Sequence, residues 1–383
     1  MKILNTTAGI CQLAVVAVIS SALWIGRYIL SKYDGHETVG AAKTETGTNY
    51  QVGGVVSGGH WEYDDDISPP YTFSPQVCKA SYIHKGDCDK TITCPSTLMN
   101  WIYIGNDEKP YPRFDVNEFR RKMKNRRIVF VGPSMVRQQV QALVWSLDHE
   151  NVQWDRSNPN PEYLLRNNCT AARACTTDAK GNITICHQFM GSMATQVYHE
   201  GNYTLDHSVR GHGDSSCLLH DEMIADLSRF DLVFVQTLAW WTNLNTHLGS
   251  PSSPSEWILK MTPTVYYDAV GNFLSEISQR TETVFVLGQT GTKCRNKTEP
   301  EPFSMDDIAE KYGWSLAPKL WNTSLAVIQE KRLDVQVVDA RQPLMQSVHA
   351  HPSLFPDCLH FCMNSAAVNI YLDMYWNEVF SSY

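Results

Sequence analysis

Ser134, Asp357 and His360 are the residues whose types and surroundings suit nucleophilic catalysis. Ser134 lies two residues past Gly132 in the run VFVGPSMVRQQ, after a short β-branched and aromatic stretch and directly before residues with helical spacing. A serine so placed sits at a helix N-terminus, where unpaired backbone N–H groups and the positive end of the dipole stabilise a developing oxyanion. The plain alternative is an N-cap, for which Ser is favoured in any protein. Asp357 and His360 stand three apart in HPSLFPDCLHFC, a Pro-bounded loop that also carries Cys358 and Cys362. An imidazole beside a serine takes its proton as general base, and a carboxylate on the far ring nitrogen fixes the tautomer and stabilises the imidazolium. Read alone, Asp-x-x-His equally describes a turn whose side chains cap the next helix.

These residues need elements to position them. Ile128 to Val131 is a strand ending at Gly132, and Met135 to Leu147 reads as a helix through Val136, Val140, Leu143, Val144 and Leu147. Apolar runs at Leu232 to Val235, Val284 to Leu287 and Val335 to Val338 predict further strands. Thr262-Pro263, a cap followed by a first-turn proline, opens a helix through about Gln279, and Ala317 to Lys331 forms another. An amphipathic helix from about Ala366 to Phe380 closes the chain. Strands of continuous apolarity alternating with helices indicate a parallel sheet covered on both faces. Such sheets bind ligands beyond the carboxyl ends of their strands, so the loops after Val131, Val235 and Leu287 are where chemistry is expected. The strand end at Val235 adds candidates: Gln236, Thr237 and the tandem Trp240 and Trp241, indoles able to stack on sugar rings or to pack in the core. Because adjacent residues face opposite ways, at most one of the pair is expected to touch a glycan. Arg137, one turn into the first helix, is a candidate partner for a substrate's negative charge or else a surface cation.

The chain has 383 residues, 43% of them hydrophobic, and a net charge of -8. That composition belongs to a globular protein, and its sign repels phosphate backbones, so no nucleic-acid partner is expected. After a short tail at residues 1–9, residues 10–30 are apolar apart from Gln12 and Arg27 and long enough to cross a bilayer, which takes about 20 residues. A signal peptide cleaved near Ser20-Ser21-Ala22 competes with an uncleaved anchor; the anchor is preferred because apolar residues continue beyond Arg27 and Tyr28. Beyond it lie five Asn-x-Ser/Thr acceptors, at Asn168, Asn182, Asn202, Asn296 and Asn322, and ten of the 11 cysteines. Acceptors and an even cysteine count suit a lumenal body with up to five disulfides, whose pairing spacing does not reveal. No CxxC pairs recur and histidines are scattered, so no metal site is expected. Residues 31–60 read as a flexible stem, 61–114 as a small accessory subdomain bearing cysteines and aromatic residues, and 115–383 as the α/β domain.

Together the two ends of the sequence resemble the plant trichome-birefringence-like polysaccharide O-acetyltransferases of the PC-esterase group, relatives of the SGNH hydrolases. The likeness rests on Trp61-Glu62-Tyr63-Asp64, Pro70-Tyr71, Cys78, Cys88, Trp101, Pro112-Arg113-Phe114-Asp115, the Ser134 block with Arg137 and Gln139, the strand and Trp pair DLVFVQTLAWW, His351-Pro352-Ser353 and DCLHFC. The resemblance implies an SGNH-like three-layer α/β/α sandwich with a parallel central sheet, plus the small disulfide-bearing N-terminal subdomain. It implies Ser134 as nucleophile, His360 as general base and Asp357 as its partner, with Gly132, Arg137, Gln236, Thr237, Trp240 and Trp241 as candidates for substrate or oxyanion contacts. By the same resemblance an acetyl group passes through an acyl-serine onto a polysaccharide or glycan hydroxyl. Acetyl-CoA or another acetyl donor would serve as co-substrate, with no tightly bound cofactor, and the body would lie in the Golgi lumen on a single-pass type II anchor. A carbohydrate esterase using the same residues, or an inactive glycan-binding protein, is the competing expectation. The departures are Pro133 where the family has Asp in Gly-Asp-Ser, and Gln236-Thr237-Leu238-Ala239 where it has Asn-Thr-Gly-His.

Overall fold

The structure is a computed structural model that describes residues 59–66, 96–148, 173–190, 195–199, 202–206, 208–210, 216–238, 241, 255–294, 297–302, 304–308, 311–351, 358–363 and 365–383. Strand β1 (His60–Tyr63) pairs antiparallel with β2 (Trp101–Ile104). Helix α1 (Val116–Lys122) starts at Asp115, whose carboxylate accepts from the N–H groups of Asn117 and Glu118 at 2.8 and 3.0 Å, as an N-cap does. Then come β3 (Arg127–Gly132) and α2 (Ser134–Asp148), the strand and helix that flank the serine. Strands β4 (Arg173–Asp178) and β5 (Ile183–Phe189) form an antiparallel pair cross-linked by Cys175–Cys186, whose residues stand directly opposite. Two hairpins follow, β6 (Thr195–His199) with β7 (Asn202–Asp206) and β8 (Ser208–Arg210) with β9 (Ser216–Leu219).

Helix α3 (His220–Leu227), β10 (Leu232–Val235), α4 (Ser255–Ser278), β11 (Glu282–Leu287), α5 (Ala317–Glu330) and β12 (Gln336–Asp339) then alternate. Helices α6 (Arg341–Gln346) and α7 (Ala366–Glu378) close the chain. The main sheet runs β12-β11-β10-β3-β5-β4 and is parallel except for β4, which lies antiparallel at the edge. The parallel central sheet expected from the sequence is therefore present, with one antiparallel strand added at its edge.

Alternate residues of the central strands feed two cores, since successive side chains leave a sheet on opposite faces. Ile128, Phe130, Leu232, Phe234, Val284 and Val286 pack with α2 and α7. Val129, Val131, Val233, Val235, Phe285 and Leu287 pack with α3, α4 and α5 on the other face. The fold is thus α/β with helices on both sides of a mostly parallel sheet. In-register Phe130 and Phe234 stack at 4.4 Å, joining β3 to β10.

Two helices differ from expectation. The helix expected to open at Thr262-Pro263 begins seven residues earlier, leaving Pro263 inside α4. A proline there forfeits one backbone bond at about 3 kcal/mol. Burial of Tyr266, Val270, Phe273, Leu274 and Ile277, each about 1.5–3 kcal/mol, overrides that penalty. Helix α7 is not amphipathic: every residue from Ala366 to Tyr375 is buried. The sheet covers one side of it, while Trp61, Met99 and Tyr103, from β1, β2 and the turn before β2, join the same core on the other. Asp373, inside that buried stretch, accepts from the Phe114 N–H at 2.8 Å and faces the Arg113 guanidinium at 3.5 Å, which gives Pro-Arg-Phe-Asp a structural role.

The expected span at residues 10–30 and the stem lie outside the described residues. Among the described residues no helix is long and apolar enough to cross a membrane. Asn182 and Asn322 are exposed, and Asn202 lies in β7. Asn168 and Asn296 fall outside the described residues. Besides Cys175–Cys186 a second bridge joins Cys294 to Cys358, and Cys362 is also disulfide-bonded.

Candidate active site

The serine is placed by a strand-to-helix turn at the carboxyl end of β3. Gly132 is needed at the turn: a Cβ there would lie 2.4 Å from the Gln236 carbonyl oxygen and 2.5 Å from Val136 Cγ2. Pro133 occupies the position just before α2, and its carbonyl accepts from Val136 N at 3.0 Å and Arg137 N at 3.3 Å. The first amides of a helix have no intrahelical partner, so the N–H that proline lacks is not missed here. The Asp-to-Pro departure is therefore accommodated without a lost helix bond.

Ser134 Oγ lies 2.5 Å from His360 Nε2. The two residues are 226 positions apart in sequence, and both are partly buried. The serine's hydroxyl thus contacts an imidazole, the geometry that permits proton transfer from nucleophile to base. Asp357 lies outside the described residues.

The segment bearing His360 is held at every position from 358 to 362. Cys358 is bridged to Cys294, and its carbonyl accepts from Thr292 N at 3.1 Å. The Leu359 carbonyl accepts from Gln289 Nε2 at 3.3 Å. The His360 carbonyl pairs with His351 Nδ1 at 2.8 Å, so that ring nitrogen carries the proton. Phe361 stacks on the His351 ring at 4.6 Å and exchanges two bonds with the Gln138 side chain. Cys362 N donates to the Ala350 carbonyl at 2.8 Å. A base held this way loses little entropy on reaching the reactive geometry.

Other sequence candidates take different places. Arg137 is only 9% exposed, so it is not a surface cation. Its charge acts on His187, a buried β5 residue whose Nε2 lies 3.2 Å from the Gly132 carbonyl. Burial first and then Arg137 push the His187 pKa down to about 3, which keeps that ring neutral behind the serine turn. Gln236 turns its carboxamide into the core rather than toward the serine: Gln139 donates to its Oε1, and its Nε2 donates to Tyr371 OH. Gly288 makes room for it, since a Cβ there would fall 1.8 Å from Gln236 Nε2. Thr237 is buried, and its carbonyl accepts from Tyr266 OH at 3.3 Å. Trp241 is a core residue packed edge-on against Tyr266 at 5.2 Å. Trp240 and Ala239 lie outside the described residues.

Gln138, His187, Gln289, His351 and Tyr371 contribute to this neighbourhood without having been assigned a role from sequence. No sequence signal singles out the glutamines of this helix, since Gln138, Gln139 and Gln141 read as an ordinary solvent face, yet they are 3%, 1% and 0% exposed beside Val136, Val140 and Leu143. Among the described residues no group of three or more His, Cys, Asp or Glu is placed to hold a metal ion.

Comparison with known proteins adds three findings. The model of PC-Esterase, a GDSL/SGNH-like acyl-esterase family found in Pmr5 and Cas1p, matches residues 111–380. Xylan O-acetyltransferase 12 and xylan O-acetyltransferase 13 of Oryza sativa subsp. japonica are each 21% identical, over 85% of this chain and 68% of their own length. A solved peptidoglycan O-acetylesterase aligns with 71% of this chain and 99% of its own at 9% identity, with a TM-score of 0.32.

Proposed function

The chain belongs to the PC-Esterase family, and on that premise we propose that it is an O-acetyltransferase that carries an acetyl group on Ser134 and delivers it to a polysaccharide hydroxyl. The observation that carries the reading is the 2.5 Å contact between Ser134 Oγ and His360 Nε2. His360 takes the hydroxyl proton as Oγ bonds to the carbonyl carbon of the acetyl donor. The donor's leaving group departs with that proton, leaving acetyl-serine and a neutral imidazole. An acceptor hydroxyl then gives its proton to His360 and attacks the acetyl carbon. The Ser134 oxygen leaves, regains the proton, and the acetyl ester stands on the sugar.

Asp357 is assigned to the second ring nitrogen of His360 by its spacing and by the family resemblance. Backbone amides at the N-terminus of α2 are the oxyanion donors that suit this reading, since the Gln236 carboxamide is engaged elsewhere. Xylan is the acceptor to test first, because the curated relatives are named for it. Acetyl-CoA is the first donor to test. The apolar span at residues 10–30 and the glycosylation acceptors beyond it support a single-pass type II protein with this domain in the Golgi lumen.

The test is incubation of the purified full chain with labelled acetyl-CoA or p-nitrophenyl acetate and xylo-oligosaccharides, beside Ser134→Ala and His360→Ala. Label on the oligosaccharide in the native protein alone is the expected result. Free acetate with no labelled sugar makes the protein an esterase, and equal signal from Ser134→Ala removes the serine mechanism.

A further inference from the structure

We propose that Gln138 is a positioning residue for His360, and that the helix bearing the nucleophile therefore sets the distance to its own base. The inference rests on the Ser134–His360 reading above. Gln138 lies four residues after Ser134 in α2, one helical turn on, so the two side chains share a helix face. Its Nε2 donates to the Phe361 carbonyl at 2.8 Å, and its Oε1 accepts from the Phe361 N–H at 3.2 Å. One carboxamide thereby occupies both backbone groups of the residue next to His360, as a paired strand would.

Geometry makes this contact different from the other restraints on the loop. The Cys294 bridge, Gln289 and His351 tie positions 358 to 360 to segments other than α2. Gln138 alone among these ties the loop to the helix that carries Ser134. Any shift of α2 moves the serine and the base together, so the 2.5 Å contact persists through motions that would otherwise open it. Gln138 is 3% exposed, which keeps water from competing for either bond. Its removal frees Phe361 N–H and C=O and lets the imidazole drift; a misplacement of about 1 Å costs on the order of 100-fold in rate.

The experiment measures kcat and KM of the full chain with p-nitrophenyl acetate, alongside fluorescence-detected melting. Gln138→Met keeps length and volume but makes neither bond. Ile277→Val, in α4 on the far face of the sheet, is the stability control. The expected result is a fall in kcat of about 100-fold for Gln138→Met, with KM within about twofold of native. Ile277→Val should lower the melting temperature and leave kcat per folded molecule unchanged. Should Gln138→Met fail to fold, Gln138→Glu, which keeps the acceptor and loses the donor, is read in the same way against native. Native kcat in a folded Gln138 variant overturns the inference and leaves the site reading standing. Turnover in native protein no greater than in Ser134→Ala overturns the site reading and the inference with it.

Discussion

The side-chain amide of Gln139 donates to the side-chain oxygen of Gln236 across 2.5 Å, joining the nucleophile helix to the end of β10. The bond is one link in a directed chain. Tyr375 OH donates to Gln139, Gln236 donates to Tyr371 OH, Tyr371 OH donates to Gln289, and Gln289 donates to the Leu359 carbonyl. Every donor points the same way, from the middle of α7 to the residue before His360. Such a chain polarises cooperatively when buried, and breaking one link strands the groups on either side.

Gln236→Leu tests that chain against the expectation that Gln236 serves the oxyanion. The substitution leaves the Gln139 amide without its acceptor and Tyr371 OH without its donor, and each stranded group costs about 1–3 kcal/mol. Urea unfolding should show a lower midpoint with unchanged slope, and kcat should fall only modestly. A loss of about 100-fold or more in kcat at native stability would instead make Gln236 an oxyanion donor.

Gly132→Ala probes the turn itself. Its Cβ would overlap the Gln236 carbonyl oxygen and Val136 Cγ2, one of them backbone, so β3, α2 or the β10 loop must yield. Because β3 and β10 are central, paired strands, the displacement should fall on the serine end of α2. Acetyl-serine formation from p-nitrophenyl acetate, read as the burst of p-nitrophenol, should drop by at least about tenfold. A native burst would show that the turn relaxes without moving Ser134.

How much of this was legible in the sequence depended on what covers each element. Leu232 to Val235 and Val284 to Leu287 declared themselves because strands buried on both faces carry unbroken apolar runs. RACTTD, now the edge strand β4, and ITICHQF, now the buried β5 beside it, gave no such signal, since an edge strand mixes polar with apolar residues and the polar His187 and Gln188 interrupt the apolar run of β5. Helix α7 looked two-faced because Asn369, Asp373 and Asn377 recur every four residues, yet Met99 meets Asn369 and the segment Pro112 to Phe114 meets Asp373 and Asn377. The meeting of Ser134 with His360 was foreshadowed by Gly132 two residues before the one and by the Asp-x-x-His spacing between Cys358 and Cys362 around the other. The glutamines were not, because Gln in a helix ordinarily faces solvent and only the fold shows that α2 has no solvent face to offer.

Cys294–Cys358 should matter more to rate than an average bridge, because Cys358 lies two residues from His360. With a separation of 64 residues, the chain-entropy account gives a bridge of this span about 4 kcal/mol of stabilisation. Cys294→Ser should lower the melting temperature accordingly. It should also lower kcat, since the covalent tie nearest His360 on its N-terminal side is then gone and the hydrogen bonds from Thr292 and Gln289 must hold that side of the loop. Equal kcat in folded Cys294→Ser and native protein would confine the bridge to stability.

Acid sensitivity is set by buried groups that oppose one another. Burial first, with Arg113 pulling the other way, raises the Asp373 pKa from 3.8 to about 6. A carboxyl whose pKa is raised on folding contributes stability that is complete below 3.8 and is lost as pH rises through about 6. His187, lowered to about 3 by burial and then Arg137, and His349, lowered to about 4 by burial and then His351, act in the opposite sense. Both stay neutral in the fold while the unfolded chain takes up protons below 6.5, so their contribution is complete above 6.5 and lost as pH falls toward 4. Between pH 6 and 4 two histidines outweigh one carboxyl, each worth up to about 1.4 kcal/mol per pH unit, and native stability should decline with acid. Asp373→Asn removes the opposing group, so its melting temperature should fall more steeply than native over that window while the two converge in slope above pH 7. Parallel curves from pH 4 to 6 would mean that Asp373 keeps an ordinary carboxylate's pKa and that Arg113 fully offsets its burial.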